Sequence, residues 1–254
     1  MGRIPHVGNV SLFLTEALRE NKSILLEGQL GALRDPDHGI YPMTTSSTLA
    51  GYGAVGAGLP PHEIKRIVTI VKAYSSCVGA GAFVSEIFGE EADELRQRGG
   101  DGGEYGATTG RPRKVGILDL PMVKHAVDTI GVDSICLTRL DTLQEIFPYS
   151  EYPVFPVCTG YGIKGEDGSI TNLTDADNNV SWYDVLANSD KIVPVYTLMN
   201  NWLDRNYTYG AAMDLIKFIN DFVGVDVEFA STGKNKSDIQ TFVAMYDKKS
   251  KDKW

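Results

Sequence analysis

Cysteine is scarce in this sequence. Cys77, Cys136 and Cys158 stand far apart and are odd in number, which argues against a disulfide framework or a thiolate zinc site. The four histidines are equally scattered, with no pair at ligand spacing. No stretch approaches the roughly 18 apolar residues of a membrane span, and the opening MGRIPHVGN has no apolar core of the kind a secretory signal needs. Positive charge is also in deficit: 24 Lys and Arg against 33 Asp and Glu leave a net charge of −9. Broad attraction to nucleic acid or to an anionic membrane is therefore not expected. These absences lead us to expect a reduced, cytoplasmic setting without nucleic acid or membrane as partner.

What is present suggests a globular α/β chain. Hydrophobic residues make up 43% of 254 positions, enough for a substantial core. Residues Leu14, Ala17 and Leu18 predict one helical face. The spacings Ile64, Ile67, Val68, Val71 and Val123, Ala126, Val127, Ile130 predict two more helices, the second stopped by Gly131. Leu215, Phe218, Ile219 and Phe222 predict another, stopped by Gly224. Between them, 23–28 (SILLEG), 132–141 (VDSICLTRLD) and 225–233 (VDVEFASTG) read as strands running into polar loops. That alternation predicts a mostly parallel sheet with crossover helices and ligands at the carboxyl ends of the strands. The stretch 162–192 has little periodicity and reads as a surface excursion. No repeat or linker interrupts the chain, so 1–254 is expected to be a single domain.

Four segments carry candidate chemistry. In 104–114, EYGATTGRPRK, two glycines bracket Thr108 and Thr109, and Arg111 and Arg113 follow. The glycines permit a tight backbone approach, and arginine forks match carboxylates bidentately. The segment is either a small-anion clamp or a set of exposed arginines. In 137–141, LTRLD, Asp141 can accept two hydrogen bonds from guanine while Arg139 stacks on the base; a surface ion pair is the plainer alternative. The run NKSD at 235–238 is similar to a guanine signature of small GTPases. However, no G-x-x-x-x-G-K-[ST] phosphate loop occurs in this sequence, so a solvated turn is expected there. The hydroxyl-rich stretch 27–48, EGQLGALRDPDHGIYPMTTSST, is either a phosphate-binding loop or an ordinary polar one.

Taken in order, EGxxG, DPDHGIYPMTTSS, VKAYSSCVGAGAF, EYGATTGRPRKxGxLDL, LTRLD and STG resemble the adenylosuccinate synthetase family over nearly the whole sequence. The resemblance implies a fold related to the phosphate-loop proteins. It also implies a GTP- and magnesium-dependent ligation of IMP with L-aspartate, in which O6 of IMP is phosphorylated and then displaced by the aspartate amine. By that likeness Thr108, Thr109, Arg111 and Arg113 form the aspartate clamp, with Arg111 also near the IMP ribose. Thr45 and Val78 contact IMP, and Gln29 is the candidate contact to its base. Arg139 and Asp141 bind guanine, with Ser231 and Gly233 in the loop that closes over it.

Several positions depart from the family pattern. Leu30 falls where the family has glutamine, Cys77 where it has arginine, and Arg139 where lysine is usual. FVSE at 83–86 replaces FPTE, and STGK replaces STGP. The family's GDEGKGK loop, its base aspartate and its histidine have no counterpart in this sequence, so no catalytic residue or magnesium ligand is expected within it. The resemblance therefore implies a ligase activity that needs a companion chain carrying the phosphate loop, and a homodimer. The alternatives are a non-catalytic nucleotide-binding paralogue, acting as a regulator or interaction module, and a standalone GTPase using Asn235–Asp238.

Overall fold

The computed structural model of the protein describes residues 8–100, 102–146, 154–200 and 209–242. Its contacts divide the chain into two compact units, residues 1–67 and 68–254.

In the first unit, helix α1 (Val10–Arg19) is started by Asn9, whose side chain accepts from the Leu12 amide. Leu14, Ala17 and Leu18 form its half-buried face, as the spacing predicts. A second helix, α2 (Ala50–Ala57), ends at Gly58 in the left-handed region, φ 70°. The expected strand at 23–28 does not form. Leu25 is 91% exposed there and the backbone makes no ladder; a strand needs a partner to satisfy its amides, and none of the described segments supplies one.

Among the described residues the second unit holds three sheets. The largest runs in the order β1–β4–β8–β9, with β1 (Val68–Lys72), β4 (Ser134–Thr138) and β8 (Val227–Ser231) parallel and β9 (Ile239–Thr241) antiparallel at the edge. This parallel-dominated α/β arrangement is the expected fold class. One expected helix is corrected: Ile64 and Ile67 precede β1, and Val68 and Val71 lie in it. The helical spacing there is coincidental, and the β-branched run VTIV follows its strand preference instead. At the open edge of β1, Ile70 is 67% exposed.

A two-stranded ribbon pairs β2 (Ser75–Cys77) with β3 (Lys114–Gly116) antiparallel. Helix α3 (Glu90–Arg98) lies against β3. Helix α4 (Leu120–Ile130) is capped by the Asp119 side chain on the Met122 amide and stopped by Gly131 at φ 72°. It is followed by β4 and by α5 (Leu140–Ile146). The long strands β5 (Val154–Lys164) and β7 (Ile192–Asn200) pair antiparallel, with β6 (Ile170–Asn172) on the other side of β5.

Residues 162–192 are therefore not an excursion. They contain the β5–β6 hairpin and α6 (Trp182–Ala187), whose buried Val185 packs with Cys158 and Tyr161 in a second small core. Helix α7 (Tyr209–Val223) buries Leu215, Ile216 and Ile219 and ends before Gly224, φ 77°.

Candidate functional site

In the first unit the loop after residue 28 is organised by Asp35, which is fully buried. Its carboxylate accepts from the amides of Asp37 (3.0 Å), His38 (3.2 Å) and Thr48 (3.1 Å). Burial alone would raise its pKa, but these donors outweigh it and hold the group below the usual carboxylate value. Beside it the Thr45 amide donates to the Arg34 carbonyl at 2.8 Å, and Arg34 Nη1 donates to the Met43 carbonyl at 2.7 Å. Thr45 is thus fixed in its backbone and exposed in its side chain. Gln29 is exposed, and Leu30 takes a left-handed φ of 72° with 57% exposure. The expectation that EGQLG leaves a strand end is not met, because no strand precedes it.

In the second unit, two of the expected segments do leave strand ends, side by side. β4 ends at Thr138, and Arg139 then adopts φ 67° to turn the chain into α5. A non-glycine residue held there costs on the order of 1 kcal/mol and is characteristic of functional turns. Asp141 lies in the first turn of α5. Its Oδ1 is sealed from solvent and has no hydrogen-bond partner among the described residues. An unpaired buried acceptor costs about 1–3 kcal/mol, so this atom suits a ligand donor.

The neighbouring strand β8, in register at Leu137 and Ala230, ends at Ser231. The Ser231 hydroxyl donates to the Gly233 carbonyl at 2.5 Å. A Cβ on Gly233 would meet the Asp238 carboxylate at 2.5 Å, so a side chain there would have to push that carboxylate aside. Asp238 accepts from the Asn235 amide at 2.7 Å within a reciprocal capping box. The NKSD run is accordingly a self-satisfied turn, as expected.

The 104–114 loop is closed on itself. Gly106 N–H donates to the Arg111 carbonyl and Gly110 N–H to the Gly106 carbonyl, both at 2.8 Å. Thr108, Thr109 and Arg111 are exposed on it. The pairing of Cys77 with Lys114 sets Val78, which is 50% exposed, at the same end of the β2–β3 ribbon as Arg113.

Glu104, which reads in sequence as a lone acid among basic residues, is the centre of this region. It is 1% exposed, and it accepts from Lys72 Nζ at 2.7 Å and Tyr74 OH at 2.5 Å on Oε1, and from Arg113 Nη1 at 3.2 Å on Oε2. Burial pushes its pKa up, but the Lys72 and Tyr74 hydrogen bonds and the charges of Lys72 and Arg113 bring it below the ordinary value. Lys72, Glu104 and Arg113 line a cleft of about 350 Å³, with the backbone of Gly100, Gly102 and Gly103 on its wall. Arg113 Nε is sealed and unpartnered among the described residues, so the guanidinium keeps donor capacity. Sequence reasoning missed Lys72 and Tyr74 because they lie about 30 residues from Glu104 along the chain.

Among the described residues no three His, Cys, Asp or Glu side chains converge as a metal-binding group.

Fold and site together define an α/β protein with a parallel-dominated sheet. An orphaned acceptor and a glycine-bearing turn stand at the carboxyl edge of parallel strands, and an arginine loop lies over a polar cleft in the same unit. The sequence matches the adenylosuccinate synthetase family over residues 2–240. It is 36% identical over 247 residues to an adenylosuccinate synthetase of Frankia casuarinae, covering 94% of this chain and 53% of that protein. To the Frankia alni enzyme it is 37% identical, with the same coverage. Among solved structures, the fully ligated adenylosuccinate synthetase of Plasmodium falciparum aligns at a TM-score of 0.77 and 27% identity, covering 93% of this chain and 54% of that one. The chain belongs to the adenylosuccinate synthetase family, and it spans about half the length of the relatives it matches. No helix among the described residues is long and apolar enough to cross a membrane.

Proposed function

We propose that this chain supplies the guanine-reading and aspartate-clamping parts of a GTP-dependent ligation of IMP with L-aspartate to adenylosuccinate. The observation that carries the reading is Asp141 Oδ1, buried without a partner at the carboxyl end of β4. Guanine presents two adjacent donors, N1–H and the exocyclic amine, and adenine presents no such pair. Arg139 stacks on the base, Ser231 and Gly233 border it, and Arg111 and Arg113 with Thr108 and Thr109 take the carboxylates of aspartate. Thr45, Val78 and Gln29 serve IMP.

In this reading the phosphate loop, the base and the magnesium ligands come from polypeptide outside these 254 residues, in the same chain or a companion one, and the complex dimerises in a cytoplasmic setting. The edge position of β1 among the described strands, with Ile70 67% exposed on it, supports a further polypeptide covering that edge. Titration of the chain with GTP and with ATP tests the reading. GTP should bind more tightly by about 1–3 kcal/mol, and equal binding of the two nucleotides would refute it. Adenylosuccinate should form from GTP, IMP and aspartate only when the phosphate-loop polypeptide is present with these residues.

A second reading, a non-catalytic purine-nucleotide-binding paralogue that regulates or scaffolds, is favoured by Leu30 and Cys77, which depart from the family pattern. Guanine preference without adenylosuccinate formation in the reconstituted mixture would select it.

A further inference from the structure

The two candidate subsites of the second unit are joined by a continuous run of polar side chains. Lys72 pairs with Thr138, and the Ala73 amide donates to the Thr138 carbonyl at 2.8 Å, so the chain leaving β1 runs beside the chain leaving β4. This sets Tyr74 next to Arg139, whose positive charge acts on the Tyr74 hydroxyl. That hydroxyl, on a ring only 2% exposed, donates in turn to Glu104 Oε1 at 2.5 Å. Lys72 Nζ binds the same oxygen at 2.7 Å and stands 5.4 Å from the Tyr74 ring centroid. The opposite oxygen of Glu104 takes Arg113 Nη1, while the Glu104 carbonyl takes the Arg113 amide at 2.9 Å. Arg96 Nε fixes the Arg113 carbonyl at 2.9 Å.

The run is therefore Arg139, Tyr74, Glu104, Arg113, with its two middle members buried. Each hydrogen bond polarises the next, and the dry surroundings strengthen all of them. If the group served stability alone, the Arg113 fork should be saturated, yet its Nε is sealed and unpartnered among the described residues. One end of the run thus lies at the strand end bearing Asp141, and the other lines the cleft with donor capacity to spare.

We propose that Tyr74 and Glu104 are positioning residues that couple the two subsites, so that a guanine base settled on Arg139 pre-orders Arg113 for a carboxylate ligand. The coupling rests on the reading that Asp141 takes guanine and Arg113 a carboxylate. A base stacked on Arg139 restricts its guanidinium, whose charge acts on the Tyr74 hydroxyl, which holds Glu104 and through it Arg113. The ordering cost is then met by the first ligand, and the second binds more tightly. By linkage the carboxylate ligand tightens guanine binding by the same factor.

The test measures L-aspartate binding by calorimetry with no nucleotide, with saturating GDP and with saturating ADP, in the wild-type chain and in Tyr74→Phe. Phenylalanine keeps the buried ring and removes the one hydroxyl that joins Arg139 to Glu104. GDP should raise wild-type aspartate affinity about fivefold or more, and ADP should not. In Tyr74→Phe each ligand alone should bind within about twofold of wild type, and the GDP enhancement should vanish. A merely structural role would weaken aspartate binding with and without GDP and leave their ratio intact. If both ligands bind wild type but the enhancement is absent, or if it persists in Tyr74→Phe, the coupling is overturned while the site assignment stands. If wild type binds no guanine nucleotide, the assignment fails and the coupling fails with it.

Discussion

Replacing Asp119 with asparagine should stabilise the protein at alkaline pH and give no gain in acid. Asp119 is 1% exposed, and its Oδ1 accepts from Tyr161 OH at 2.7 Å and from the Met122 amide at 3.2 Å. Its Oδ2 is sealed without a well-formed hydrogen bond among the described residues, although the Ser85 hydroxyl acts on the carboxylate and lowers its pKa. Burial outweighs those donors and raises the carboxyl from 3.8 to about 6. The folded state therefore holds a proton that the unfolded state releases between about pH 4 and pH 6. The associated stability is fully present below about pH 4 and is lost as the pH rises through about 6. Raising a carboxyl from about 4 to about 6 corresponds to about 3 kcal/mol between those limits.

Asparagine keeps an acceptor for Tyr161 and for the helix cap but never charges. Its amide group takes the place of an oxygen without a well-formed hydrogen bond, which costs about 1 kcal/mol. The net gain at about pH 8 is then on the order of 1–2 kcal/mol, and nothing is gained at about pH 4. Urea unfolding followed by far-UV circular dichroism at both pH values measures the difference. A variant less stable than wild type at the alkaline pH, or a difference that does not change with pH, would refute the argument.

Three further outcomes are expected. Asp35→Ala strips the acceptor from the amides of Asp37, His38 and Thr48, which should cost about 2–3 kcal/mol and speed hydrogen exchange at those amides. Because the Asp35 pKa is held low, the wild-type advantage over this variant should persist above the ordinary carboxylate pKa and fade as the pH falls below it. Glu104→Ala leaves Lys72 and Arg113 without their shared counter-ion, which should cost about 2–3 kcal/mol in denaturant midpoints, less than for a fully sealed pair because both cations keep roughly a third of their exposure. In Gly116→Ala the added methyl would run into the Ser85 carbonyl at the β2–β3 ribbon; the thermal midpoint should drop by several degrees, whereas Gly131→Ala, where a Cβ meets nothing but φ is 72°, should lose only about 1 kcal/mol.

The elements legible in the sequence are those whose signals are local. Helices α4 and α7 announce themselves through apolar spacing and a terminal glycine, and β4 and β8 through short apolar runs. The errors arise where the deciding partner is distant. The Ile64–Val71 spacing fits a helix locally, but Val68–Lys72 is claimed by the β4 ladder about 66 residues further on. SILLEG has strand composition and no ladder to join. Strands β5 and β7 are interrupted by Pro156, Gly160 and Pro194, and β5 does not alternate cleanly even when paired, its register with β7 shifting between Cys158 and Gly160.

The site divides the same way. Asp141 and Arg139 are readable because a strand end places them, and Arg113 because a glycine-bounded loop does. Glu104 reads only as a charge offsetting its basic neighbours. Its partners Lys72 and Tyr74 reach it only through the fold, so nothing local marks it as the residue that holds Arg113.

The central claim, that Asp141 reads the donor pair of guanine, is tested most directly by comparing dissociation constants for GTP and xanthosine triphosphate in wild type and Asp141→Asn. Xanthine carries an oxygen where guanine has its amine, so a carboxylate repels it and an amide side chain can donate to it while still accepting from N1–H. Wild type should favour GTP, and Asp141→Asn should reverse the preference with xanthosine triphosphate gaining at least about tenfold over GTP. An unchanged GTP preference in Asp141→Asn would contradict the account.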